Sequence, residues 1–173
     1  QFHVHDGGAG ASLIAQWIGV EENFRFGDRV AAIGDLNGDG HQEYAVSGPL
    51  ATLDVNEPEG GAVWVFNGGP DFDVQERSRG TALGVRSYEH LGASVAAVGD
   101  IDGDGSSDFA VSSRGGVAPD GVETSGDLYI YDADVQRTYR LGNDANPFGA
   151  GFGVGVALLG ASEGLHGPMV VVG

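Results

Sequence analysis

The chain has 173 residues, 32 of them glycine, no cysteine, and a formal net charge of −17. The length suits one ordinary domain or a few small repeats, and zero cysteines exclude disulfides, thiolate zinc sites and cysteine nucleophiles. With 25 acidic residues against 8 basic ones, all arginine, the chain repels nucleic acid and anionic membrane surfaces and attracts cations.

In chain order, the first expected strand is residues 2–5, FHVH, closed by the turn formers Asp6-Gly7-Gly8; a weaker strand signal, 12–19, follows. Residues 26–47 (FGDRVAAIGDLNGDGHQEYAVS), 91–112 (LGASVAAVGDIDGDGSSDFAVS) and 152–173 (FGVGVALLGASEGLHGPMVVVG) then superimpose without a gap, starting 65 and 61 residues apart. Each holds two apolar runs, VAAIG, VAAVG or VALLG and then YAVS, FAVS or MVVV. Behind the first two copies come an aromatic, β-branched run (63–66 or 128–131) and a polar one (74–80 or 135–142). Short runs of this composition, bounded by Gly, Asn and Asp, predict strands. No stretch keeps a helical period for three turns without glycine, so no helix is expected. Residues 12–18 fit a helical turn in isolation, and the repeat assigns them to a strand. No apolar run approaches the roughly 18 residues of a membrane span.

Four strands per repeat, graded from small and apolar to polar, describe a β-propeller blade. The expected fold class is all-β, with blades of four antiparallel strands that are stable only against one another. The predicted units are 1–25, the outer half of a blade; 26–90 and 91–151, full blades with a calcium loop each; and 152–173, an inner half without one. That is three blades' worth, whereas closed propellers take roughly four to eight. The remaining blades are expected from a longer polypeptide or from another copy joined through the half blades.

The connection between the first and second strands carries the chemistry. Residues 35–43 (DLNGDGHQE) and 100–108 (DIDGDGSSD) place oxygen side chains at positions one, three, five and nine, with glycine at six where the chain turns around an ion. The expected calcium ligands are Asp35, Asn37, Asp39 and Glu43 in one loop and Asp100, Asp102, Asp104 and Asp108 in the other. The backbone carbonyls of His41 and Ser106 complete each set at position seven. These are not EF-hands: position twelve falls on the strand residues Val46 and Val111, and the acid at nine closes the set. Magnesium, with its tighter octahedron, fits less well. A metal-free Asx turn needs one Asp-Gly or Asn-Gly pair, not four oxygen side chains in register twice. Without a cation, the four carboxylates of the second loop would repel one another. In the third copy the same columns hold Ala161, Glu163, Leu165 and Met169, so no calcium is expected there.

The chain resembles the FG-GAP repeat family, best known from the N-terminal β-propellers of integrin α subunits. The resemblance rests on Phe26-Gly27, Leu91-Gly92 and Phe152-Gly153 opening each repeat, on the two Asp-rich loops, and on Ala45-Val46-Ser47-Gly48-Pro49 at the place of the family's Gly-Ala-Pro. Ser47 in that segment, Leu91 and the third loop depart from the pattern. The resemblance implies a propeller, usually of seven blades, with calcium loops on the face opposite the usual ligand face. It further implies adhesion or recognition of a protein or glycan outside the cell.

Other signals lead elsewhere. Gly160-Ala161-Ser162-Glu163-Gly164 matches a hydrolase nucleophile elbow but lacks its strand-to-helix setting. The cluster 149–155, GAGFGVG, lacks the spacing of a phosphate loop. His3 and His5 share a strand face, as a metal pair would, but occupy the columns of Trp64/Phe66 and Tyr129/Tyr131, which favours packing or an interface. His90 and His166 fall in loops. The acidic connections 48–61 and 113–126 are either recognition loops or solvated connectors. No carboxylate or histidine pair suited to catalysis stands outside the calcium loops. The expected function is therefore a calcium-binding, non-catalytic module. The alternatives are a self-assembling structural subunit and the accessory propeller of a secreted hydrolase or lyase.

Overall fold

The structure, a computed structural model, describes residues 2–5, 10, 13–17, 23–69, 79–117, 121–142, 156–159 and 169–172. Among them are strands and turns, and no helix long and apolar enough to cross a membrane. β1 (Phe2–His5) pairs antiparallel with β2 (Leu13–Trp17). β3 (Val30–Gly34), β4 (Glu43–Gly48), β5 (Ala62–Phe66) and β6 (Gly80–Leu83) form a four-stranded antiparallel meander. β7 (Ser94–Gly99), β8 (Asp108–Ser112), β11 (Asp127–Tyr131) and β12 (Arg137–Gly142) form a second one. A small hairpin, β9 (Gly115–Val117) with β10 (Glu123–Ser125), is inserted between β8 and β11. β13 (Val156–Leu159) pairs with β14 (Met169–Val172). The fold is all-β: among the described residues there are two complete propeller blades and three two-stranded sheets (β1–β2, β9–β10 and β13–β14), with β3 beside β7 and β7 beside β13.

Strand side chains alternate between faces, so each blade has two different ones. Ile33, Ala45, Val63 and Val65 of the first blade share one core with Leu91, Phe109, Val111, Tyr129, Tyr131 and Val135 of the second. The opposite face of the first blade gathers Val46 and Phe66 with Tyr44, Trp64 and Phe26. The opposite face of the second gathers Val98, Ala110, Leu128 and Ile130, with Val156 of β13 against it. The repeat extends to ring geometry: Tyr44 stacks on Phe66 and, 65 residues later, Phe109 stacks on Tyr131, both at 5.4 Å between centres. Burying side chains of this size contributes roughly 1.5–3 kcal/mol each, so the seam is a main source of stability.

The glycine of each repeat-opening pair has a backbone reason. Gly27 and Gly92 sit at φ 92° and 95°, and their N–H groups donate to Ser47 O (2.8 Å) and Ser112 O (2.9 Å). That left-handed turn swings the chain from the linker onto the innermost strand.

Two expectations are corrected. Burial does not fall steadily outward from the first strand: β4, β5, β8 and β11 are almost wholly buried, whereas β3 and β7 are half-exposed. A middle strand has a paired neighbour on both sides, and an innermost strand has one on one side only. The fourth strand of the first blade is Gly80–Leu83, where 74–80 was expected; residues 70–78 lie outside the described residues. Gly80 marks the close approach of the next blade, since a Cβ there would meet Val135 Cγ2 at 2.6 Å. Ala82 then enters the shared core.

Candidate metal centre

Both Asp-rich loops leave the innermost strand through a bulge. The pairing register shifts between Ala32 and Gly34 in one blade and between Ala97 and Gly99 in the other, at φ 98° and 68° for the two glycines. A bulge turns the strand end, here aiming the next nine residues around a small space.

Within the loops the hydrogen bonds repeat column by column. Asp35 accepts N–H bonds from Gly38 (2.7 Å), Asp39 (3.2 Å) and Gly40 (2.9 Å). Asp100 accepts them from Gly103 (2.6 Å) and Gly105 (2.9 Å). The third residue accepts from the fifth, at 2.9 Å for Asn37 and 3.1 Å for Asp102, and the fifth accepts from the amide of the seventh, His41 (2.8 Å) or Ser106 (2.7 Å). The ninth residue closes the loop from inside the protein: Glu43 and Asp108 are buried and accept the N–H of Leu36 and Ile101, both at 2.7 Å.

The donor sets converge. Asp100, Asp102 and Asp108 each present an oxygen within 4.8 Å of the other two. In the first loop, Asn37 Nδ2 lies 3.0 Å from Asp39 Oδ2 and 3.5 Å from Glu43 Oε1, so those three columns meet through an amide. Asp104 stands outside the converged trio, with its Oδ1 on the Ser106 amide. The His41 ring packs against Gly69, where a Cβ would meet it at 2.7 Å. Its nitrogen is therefore a poor candidate ligand.

The electrostatics differ between the loops. The Gly40 amide, with smaller help from those of Gly38 and Asp39 and against some desolvation, holds the Asp35 carboxyl below its ordinary value. Burial pushes the Asp108 carboxyl up despite the Ile101 amide, and the charges of Asp102 and Asp104 add to the rise. An all-oxygen set with one buried acid and uncompensated negative charge fits a hard divalent cation such as calcium. The loops also touch across the seam: a Cβ on Gly34 would meet Ser107 at 2.7 Å.

The other residues singled out in the sequence are not drawn together. His90 Nε2 lies 3.1 Å from Glu59 Oε2. His3 and His5 are exposed on β1 with ring centres 6.0 Å apart. Residues 161–168, with the degenerate third loop, Ser162 and His166, lie outside the described residues, as does 149–155.

Sequence reasoning missed a charged cluster at the seam. Arg86 Nη2 donates to Glu89 Oε1 (3.0 Å), to Tyr129 Oη (2.8 Å) and to Asp127 Oδ2, while Arg140 Nη2 holds Asp127 Oδ1 at 2.9 Å. Tyr129 O–H donates to Glu89, and the Val85 and Arg86 amides to Glu89 Oε2. Every Glu89 and Asp127 oxygen has a donor, so this buried acid pair serves packing. A signal existed. Counting back 65 residues, Glu89, Asp127 and Tyr129 occupy the columns of Phe24, Ala62 and Trp64, which form an apolar cluster in the first blade.

The FG-GAP repeat family model matches residues 26–66. Integrin alpha-5 of Xenopus laevis is 33% identical over 100 residues, 56% of this chain and 9% of that protein. Integrin alpha pat-2 of Caenorhabditis elegans is 36% identical over 98 residues, 54% of this chain and 8% of that protein. Integrin alpha-3 of Mus musculus is 36% identical over 115 residues, 65% of this chain and 10% of that protein. The chain thus spans a tenth or less of these curated relatives. It carries an FG-GAP repeat at residues 26–66 and is similar to integrin α subunits over more than half of its own length.

Proposed function

We propose that this chain is a calcium-stabilised segment of an FG-GAP β-propeller, acting without catalysis as a module for adhesion or recognition outside the cell. Asp35, Asn37, Asp39 and Glu43, with the His41 carbonyl, hold one ion. Asp100, Asp102, Asp104 and Asp108, with the Ser106 carbonyl, hold the other. Each bound cation neutralises the crowded carboxylates and ties the end of the innermost strand to the start of the second. The observation that carries the reading is the convergence of Asp100, Asp102 and Asp108 at the buried end of a loop, where burial raises the Asp108 carboxyl and the charges of Asp102 and Asp104 add to the rise. The similarity to integrin α subunits supports the extracellular setting and a protein or glycan ligand, and the chain's arginine-only, acidic surface argues against nucleic acid.

The units are 26–90 and 91–151 as full blades, with 1–25 and 152–173 as partners of further blades, supplied by a longer chain or by another copy. Isothermal titration with calcium tests the reading. Uptake of two ions per chain is expected, falling to one in Asp102→Ala. No uptake at millimolar calcium, with unfolding unaltered by chelator, refutes it.

A further inference from the structure

We propose that Asn37 is a self-modifying residue, losing its side-chain amide as ammonia through a cyclic imide formed with Gly38 and ending as aspartate or isoaspartate. Imide formation requires the next residue's backbone nitrogen to reach the asparagine side-chain carbonyl carbon, and glycine, with no Cβ, leaves that approach open. Asn37 and Gly38 are exposed, and a Cβ on Gly38 would meet nothing within 4 Å, so water has access.

The neighbouring contacts polarise both reacting groups. Gly38 N–H donates to Asp35 Oδ1 at 2.7 Å, which enriches the nitrogen in electron density. Asp39 N–H donates to Asn37 Oδ1 at 2.9 Å, where negative charge develops as the carbon becomes tetrahedral. Asp39 Oδ2 accepts from the leaving nitrogen, Nδ2, at 3.0 Å.

The bond from Gly38 N to Asn37 Cγ forms as the nitrogen's proton passes to the Asp35 carboxylate. The Cγ–Nδ2 bond then breaks, and ammonia departs with that proton. Water opens the imide: cleavage at Cγ leaves aspartate, and cleavage at the backbone carbonyl leaves isoaspartate. One water is consumed, one ammonia is released, and nothing is oxidised or reduced. The second loop already carries Asp102 in this column, with the same contact from its fifth residue, so the loop geometry accepts an aspartate there. The reaction concerns the loop without its ion, because the proposed function gives Asp35, Asn37 and Asp39 to the cation as ligands.

The chain has its own comparator in Asn67–Gly68. Gly68 N–H points at Glu43 Oε1 from 3.3 Å, and among the described residues no donor is recorded on the Asn67 side-chain carbonyl. The test holds the full chain, folded and in chelator, at mildly alkaline pH and locates amide-to-acid conversion by tandem mass spectrometry. Asn37 is expected to convert about tenfold faster than Asn67, well under the effect of one preorganised oxyanion donor in an enzyme. In denaturant the two rates should become equal. Asp35→Asn should slow conversion at Asn37 about tenfold without altering Asn67, less than a positioned proton acceptor gives in an enzyme. Equal rates in the folded chain, or faster conversion of Asn37 in denaturant than in the fold, overturns the proposal. That comparison uses the unaltered chain, so it stands even where a variant folds poorly.

Discussion

At the scale of single residues, the two blades solve one packing problem in opposite ways. Around Trp64 the first blade packs Phe24, Ala51 and Ala62; around Tyr129 the second packs Glu89, Asp127 and Arg86. Removing one partner of a buried ion cluster strands the others. Arg86→Met is therefore expected to lower stability by about 3–5 kcal/mol, measured by urea unfolding. Adding Glu89→Phe, Asp127→Ala and Tyr129→Trp transplants the apolar version and should restore the loss or exceed it by about 1–4 kcal/mol. A quadruple variant as unstable as the single one would show that the cluster does more than fill space. In the second loop the sign of a substitution should depend on the ion. Asp102→Asn relieves repulsion on Asp108 in chelator and weakens ligation in calcium. Its melting temperature should rise in the first case and fall in the second by ~2–4 °C, the equivalent of about 1 kcal/mol for a chain of this size. A shift of the same sign in both conditions counts against ligation.

Among elements, what the sequence made legible was whatever local chemistry enforces. The Asp-rich connections could be read because nine consecutive residues supply their own hydrogen bonds, from Asp35 to Glu43 and from Asp100 to Asp108. The middle strands could be read because Val63–Phe66 and Leu128–Tyr131 are apolar on both faces, as a strand between two blades requires. The fourth strand of the first blade was misplaced because its fixing contact, Val135 against Gly80, lies 55 positions away in sequence. The β9–β10 hairpin escaped notice for a similar reason. Two of the three residues of Gly115-Gly116-Val117 disfavour a strand, and the segment is held by Val117 N–H on Ser87 O (2.8 Å) and Arg114 N–H on Glu89 O (3.1 Å). The glycines separate the two kinds of constraint. Gly103→Ala, at φ 84° in open space, should cost roughly 1–2 kcal/mol of backbone strain. Gly92→Ala adds a Cβ that would meet Ser47 Cβ at 2.7 Å and should cost clearly more. Equal losses in chemical denaturation would mean that the seam yields more easily than its packing indicates.

For the molecule as a whole, the net charge of −17 opposes the compact state, and cations are the natural counterweight. Chelation is expected to lower the melting temperature and to admit protease at the two loops. Added monovalent salt should recover part of the loss by screening surface repulsion. Complete recovery by salt alone would assign calcium a diffuse role in place of a ligated one.

The unlike faces of each blade give the stack a direction. Large rings project backward, as Phe109, Tyr129 and Tyr131 do, into a shallow aliphatic bed such as Ile33, Val63 and Val65 on the blade before. Two aromatic faces would collide, and two aliphatic ones would leave a void. Plug can follow socket only in one sense, so a further unit can join this stack only in the same orientation as the two described.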